Sequence, residues 1–161
     1  MMVAPLWKKQ VLDEFMPIRE DLHILEDHEL YARILSKHTN YNFINEELIY
    51  YRVGGVSLLN QFYKDVTFGL DSFLEAKKTV LQLSNSPKIK LAILKETLSL
   101  FRMALAQKKH KVAYKCLLFC KRQKLFYSLT LKLKMIRIYI LYTFVLLTKK
   151  GDTFFKKWFK V

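Results

Sequence analysis

The chain has 161 residues and a formal net charge of +14 at pH 7, with 52% hydrophobic and 26% charged residues. This composition excludes a disordered protein, because the apolar fraction is large enough to bury a core. The charge is uneven: residues 1–87 carry 9 Lys/Arg and 12 Asp/Glu, whereas residues 88–161 carry 19 and 2. With four Gly and three Pro, the sequence predicts a mostly helical protein whose two parts have different roles.

The first part contains a cluster of acidic residues at the start of a predicted helix. A short helix is predicted within residues 5–15, and the next one covers residues 26–37, with Glu26, Asp27 and Glu29 in its first turn. Carboxylates in this position interact favourably with the positive end of the helix dipole, so helix capping alone explains them. The alternative is that one of them is a general base. The local sequence does not separate the two interpretations.

Two short strands are predicted after this helix. Tyr41–Ile44 and Leu48–Val53 are rich in aromatic and β-branched residues and flank a polar turn. Gly54 and Gly55 then form the sharpest break in the chain. Four further helices are predicted, over residues 57–83, 87–108, 111–120 and 125–148.

The order of these segments resembles the C-terminal part of the family 2 glycosyltransferases. In that family an acidic pair opens a helix that also contains an Arg, and a Tyr-Arg-x-Gly-Gly-x-Ser segment follows. The matching segments here are "PIREDLHILEDHELYAR" and "YYRVGGVS", and "APLWKKQVLDEFMPI" is similar to the family's segment just upstream. The resemblance covers about residues 3–60.

The resemblance implies an α+β fold class that is mostly α. Residues 1–57 would be the acceptor-side fragment of a GT-A α/β glycosyltransferase domain, a helix with short strands, and residues 58–161 a basic α-helical tail. Enzymes of this family transfer a sugar from a nucleotide-sugar donor to a glycan or lipid-linked acceptor. The partners expected from the resemblance are therefore the nucleotide-sugar and the glycan acceptor of a complete enzyme.

The resemblance also assigns site residues. Asp27 matches the general base, which deprotonates the acceptor hydroxyl as that oxygen attacks the anomeric carbon. Two interpretations of Arg33 and Arg52 stay open: both form salt bridges with the glutamate cluster, or Arg52 lies near the acceptor or donor phosphate. The residues assigned to acceptor binding, or to the support of the base, are Glu26, Arg33, Arg52, Gly54 and Gly55.

The sequence departs from the family in lacking an Asp-x-Asp pair. Family members use this pair to bind Mn²⁺ or Mg²⁺, which stabilises the leaving group. We therefore expect no cofactor in this chain. The chain would be a truncated or split gene product that is inactive alone, and a separate N-terminal half would be its partner. An alternative metal site at His23, Asp27, His28 and Glu29 lacks a further ligand cluster.

The basic tail is expected to lie on a membrane surface. Met135–Thr148 is almost uncharged, but its helix would span about 21 Å, less than a bilayer crossing requires. Extension back to Leu125 adds Lys132 and Lys134, which are costly inside a membrane. A helical bundle on an anionic leaflet fits better, so we expect a cytoplasmic protein, peripheral at the inner face of the membrane. The aromatic residues expected to insert there are Phe154, Phe155, Trp158 and Phe159.

Three alternatives remain for the tail and for the whole chain. In the first, the tail packs onto the N-terminal half or onto a partner helix. In the second, the tail binds nucleic acid; we do not expect this, because the apolar content of the tail is too high for a surface that follows a phosphate backbone. The third alternative concerns the whole chain, which would be a non-enzymatic, basic helical module for a membrane surface or a protein partner.

Cys116 and Cys120 lie four residues apart. We expect both thiols to be reduced and to serve in packing.

Overall fold

The computed structural model describes residues 5–42, 44–46 and 57–148. About 70% of these residues are helical. The helices in these ranges are α1 (Lys9–Phe15), α2 (Glu26–Lys37), α3 (Leu58–Lys64), α4 (Leu70–Leu83), α5 (Pro87–Ala106), α6 (His110–Arg122) and α7 (Leu129–Thr148).

The predicted α+β fold class is wrong, because the described ranges contain helices and no strand. Tyr41 and Ile44 lie in an irregular segment after α2, and their side chains are 74% and 53% exposed. Aromatic and β-branched residues favour a strand only where a sheet offers neighbours to pack against, and no such surface covers these two. The described residues of the expected GT-A α/β fragment thus form helices joined by irregular segments. The second predicted strand, Leu48–Val53, lies outside the described residues.

The helix predicted over residues 57–83 is interrupted, so that α3 and α4 are separate. Asp65 ends α3, and its carboxylate accepts hydrogen bonds from the Thr67 N–H at 2.8 Å and from the Lys109 ammonium. Lys109 and then Thr67 hold the pKa of Asp65 down to about 2. A local side-chain bond of this kind competes with the helical hydrogen bonds. Gly69, with a φ of +73°, then starts α4.

The main hydrophobic core is formed by α3 to α7 together with Ile24. On α5 the buried side chains follow a helical spacing, and α6 packs this face with its own buried residues. Cys116 and Cys120 are part of that face of α6 and are both free thiols. Burial raises the pKa of Cys116 to about 12 and that of Cys120 further, so both remain protonated at neutral pH.

A smaller cluster joins α1 to α2. Phe15, Leu30 and Ile34 are buried in it. On its other side α2 packs against α4. The acidic helix is therefore held between α1 and α4.

No described helix combines the length and the hydrophobicity that a membrane crossing requires.

The close contact between Gly69 and Ile24 gives the first testable prediction. A Cβ at residue 69 would lie 2.7 Å from Ile24 Cδ1, and the backbone there is left-handed. Gly69→Ala should lower the free energy of unfolding, measured by urea denaturation, by about 1–2 kcal/mol from the backbone alone. The steric contact should add to this loss.

The control is a double-mutant cycle with Ile24→Val, which removes the Cδ1 atom. The valine should recover the steric part of the loss and leave the backbone part in place. A Gly69→Ala variant as stable as the wild type would contradict the contact.

Candidate functional site

The acidic cluster lies in the first turn of α2, after an unusual N-cap. Leu25, the N-cap residue, has a φ of +64°, and its side chain makes no capping hydrogen bond. The segment before it is held by α4: the His23 N–H donates to Ser72 Oγ at 2.9 Å, and Ile24 contacts Gly69. Because the chain is fixed on both sides of this turn, the start of α2 has one defined position.

Glu29 is the buried member of the cluster, with 1% of its surface exposed. Its Oε2 accepts a hydrogen bond from Arg33 Nε at 3.0 Å, one turn further along α2. The same guanidinium donates to the carbonyl oxygens of Phe15 at 2.6 Å and of Pro17 at 3.4 Å. Arg33 therefore ties the end of α1 to α2, which corresponds to the salt-bridge interpretation of this residue.

Asp27, by contrast, is exposed to solvent. Its Oδ1 accepts the His28 N–H at 2.7 Å, and it forms no ion pair within the described part of the chain. Glu26 is half-buried beside it. The three carboxylates thus differ: the charge of Glu29 is balanced by Arg33, whereas that of Asp27 faces water and is accessible to another molecule.

An aromatic pair lies next to Asp27, and the sequence analysis missed it. Tyr31 is one helical turn further along α2, and its ring centroid is 5.7 Å from that of Trp7. Burial, and then the negative charge of Asp27, raise the pKa of the Tyr31 hydroxyl, so it stays protonated at neutral pH. The Trp7 Nε1 atom is buried and has no hydrogen-bond partner among the described residues. The four-residue spacing of Asp27 and Tyr31 in the sequence indicates that these two side chains share a helix face. No feature of the sequence indicates the contact between Tyr31 and Trp7.

The other residues assigned by sequence cannot be related to Asp27 in space. Arg52, Gly54 and Gly55 lie outside the described residues. In the ranges that are described, no group of three or more His, Cys, Asp or Glu side chains is arranged to hold a metal ion.

A second surface feature is found on α7, which is apolar on two sides. One side packs into the core. The other points outward, and we call it the outer stripe. The members of the outer stripe, each between 48% and 78% exposed, are Leu129, Leu133, Ile136, Ile140, Phe144 and Leu147.

Comparison of the chain with models of known protein families, with curated proteins and with solved structures finds no match in any of the three. The similarity to the family 2 glycosyltransferases therefore rests on the sequence segments given above.

The burial of Glu29 predicts the effect of removing its partner. Arg33→Leu leaves a carboxylate without a counter-charge inside the protein, and the free energy of unfolding should fall by about 3 kcal/mol or more. Arg33→Lys keeps a positive charge but loses the planar set of donors, and an intermediate loss is expected. Urea denaturation of both variants measures the losses.

The control is Lys78→Leu, since Lys78 pairs with Glu75 on the exposed side of α4. Its loss should stay under about 1 kcal/mol, as is usual for surface ion pairs. Equal losses for Arg33→Leu and Lys78→Leu would show that the Glu29 pair does not have the importance we assign to it.

Proposed function

We propose that this chain supplies the acceptor side of a glycosyltransferase, with Asp27 as the general base. In this proposal the carboxylate of Asp27 takes the proton from an acceptor hydroxyl while that oxygen attacks the anomeric carbon of the donor sugar. The bond between that carbon and the phosphate oxygen of the donor breaks, and the nucleoside diphosphate leaves. The observation that carries the proposal is the exposed Asp27 carboxylate on a rigidly held helix start.

The contrast between the acidic residues supports Asp27 over its neighbours. A general base has to be ionised and within hydrogen-bond reach of the hydroxyl that it deprotonates. Glu29 is inaccessible and balanced by Arg33. Glu26 is half-buried, which suits the supporting role that the resemblance gives it. Asp27 alone of the three is both open to solvent and without an ion pair within the described ranges.

The aromatic pair beside Asp27 supports a sugar as the acceptor. Binding sites for small molecules combine apolar and aromatic surface with a few placed polar groups, and Trp7, Tyr31 and Asp27 provide this combination. The rings would contact the C–H face of the acceptor sugar while the carboxylate accepts its hydroxyl proton. The neutral Tyr31 hydroxyl remains available as a further hydrogen-bond donor.

The donor site lies, in this proposal, on a separate N-terminal half. The 161 residues contain no Asp-x-Asp pair, and Mn²⁺ or Mg²⁺ bound to such a pair would supply charge stabilisation of the leaving diphosphate. The role of this chain is therefore limited to acceptor binding and proton transfer. We further propose a cytoplasmic location, peripheral at the inner face of the membrane, where a lipid-linked acceptor is accessible.

A non-enzymatic membrane-surface module is the second candidate. The observation that favours it is the outer stripe of α7, together with the 14 Lys or Arg residues that accompany one acid, Glu96, between residues 88 and 148. In this alternative the acidic cluster only stabilises the start of α2. A measurement of sugar transfer distinguishes the two candidates, because only the glycosyltransferase fragment takes part in this reaction.

The test combines the chain with the polypeptide encoded immediately upstream of it. Membranes from cells that express both are incubated with a panel of radiolabelled nucleotide-sugars, and label in lipid-linked and polymeric glycans is counted. Asp27→Asn should lower the transfer about 10²–10⁴-fold, which is the usual contribution of a positioned base. Glu26→Gln should have a smaller effect.

Asp13→Asn is the matched control, because Asp13 is also an exposed aspartate and lies on α1. It should leave the transfer unchanged. Transfer that survives in Asp27→Asn, or an upstream region that encodes no nucleotide-binding half with an Asp-x-Asp pair, would contradict the proposal and favour the non-enzymatic module.

A further inference from the structure

An open cleft of about 620 Å³ lies where α5 begins, α6 ends and α7 begins. Its lining combines apolar side chains with four lysines. The residues used below are Phe126 and Met135 together with Lys90, Lys121, Lys124 and Lys132.

Within the part of the chain that the structure describes, no acidic side chain pairs with the four lysines at this cleft. Glu96 is the one acid between residues 88 and 148, and its Oε2 pairs with Lys77 Nζ of α4 at 2.7 Å. Lys90 donates to the neutral Asn85, and the other three form no ion pair in the described ranges. Like charges collected in one cleft create a positive potential that attracts an anion.

The backbone helps to keep these charges together. Lys124 has a φ of +51°, and the following Leu125 N–H bonds to the Cys120 carbonyl oxygen at 3.0 Å, which closes the end of α6. Leu125 itself is completely buried. The turn that carries Lys124 is thus anchored in the core.

The cleft continues into the outer stripe of α7. Ile136 lines the cleft and is also a member of the stripe, with 53% of its surface exposed. A molecule with an anionic group at the cleft would therefore lie next to a long apolar helix face. This combination of a charged group and an apolar neighbour is that of a phospholipid at the surface of a bilayer.

Charge complementarity favours a lipid surface over a second copy of the chain. Lys132, Lys134 and Arg137 are the charged residues of α7, and the helix has no acid. Two stripes packed face to face would bring these like charges together. An anionic leaflet offers the opposite charge and an apolar interior next to it.

We propose that the lysine cleft binds the phosphate headgroup of an anionic membrane lipid while the outer stripe of α7 lies in the bilayer interface. This proposal rests on the membrane part of the proposed function and names the surface and the headgroup chemistry. It does not depend on sugar transfer.

Vesicle flotation of the full chain tests the proposal. The wild type should float with phosphatidylcholine vesicles that contain phosphatidylglycerol and should stay unbound with phosphatidylcholine alone. The cleft triple variant Lys121→Gln/Lys124→Gln/Lys132→Gln should bind about 100-fold more weakly, because each lysine at an anionic surface contributes about fivefold. Ile136→Ser/Ile140→Ser, which keeps the charge, should also lose binding.

The control triple variant is Lys8→Gln/Lys95→Gln/Lys111→Gln, which has the same net charge as the cleft triple variant. It removes three exposed lysines that do not line the cleft. It should bind less than about tenfold more weakly than the wild type. Equal losses of vesicle binding in the two triple variants would contradict the role of the cleft but not the contact with the membrane. A wild type that does not bind anionic vesicles would contradict both. Release of the bound protein by soluble glycerol phosphate at the same phosphate concentration would overturn a lipid ligand.

Discussion

The position of α2 depends on the guanidinium of Arg33. This group contacts the buried Glu29 carboxylate on its own helix and the carbonyl oxygens of Phe15, the last residue of α1, and of Pro17 just after it. A buried carboxylate is stable only if its charge and its hydrogen-bonding capacity are satisfied, so α1 and α2 have to be in place together. This constraint, together with the contacts of His23 and Ile24 with α4, positions the helix turn on which Asp27 lies.

The acidic cluster shows how neighbouring residues of one type acquire different roles from their surroundings. On α2 the helix brings Glu29 to face α1 and the core, whereas Asp27 points to solvent. Tyr31 lies one turn from Asp27 on α2, and both Tyr31 and Trp7 are half-buried. The cluster therefore combines a structural ion pair with an accessible carboxylate next to an aromatic surface, and these two parts are separable by mutation.

Local signals in the sequence predicted the helices well where they did not depend on distant contacts. The helix predicted over residues 26–37 has these bounds, and α5 begins at Pro87 as predicted. The strand at Tyr41–Ile44 was wrong because strand propensity needs a neighbouring strand. The break after α3 was missed because it includes the contact of Asp65 with Lys109, which is far away in sequence. In the site, Asp27, Glu26 and Glu29 look alike in sequence, because which of them is buried depends on how α2 packs against α1 and α4. The lysine cleft is formed from three helices, so no single segment indicated it.

The two buried cysteines have a practical consequence. Cys116 and Cys120 are the only cysteines in the sequence, and both thiols are covered and protonated. Alkylating reagents require an accessible thiolate, so the folded chain should react slowly with maleimides. A single cysteine introduced on the surface would then carry a fluorophore at one known place without removal of the native pair. Depth-dependent quenching along a helix of this protein is therefore measurable in an otherwise unaltered background.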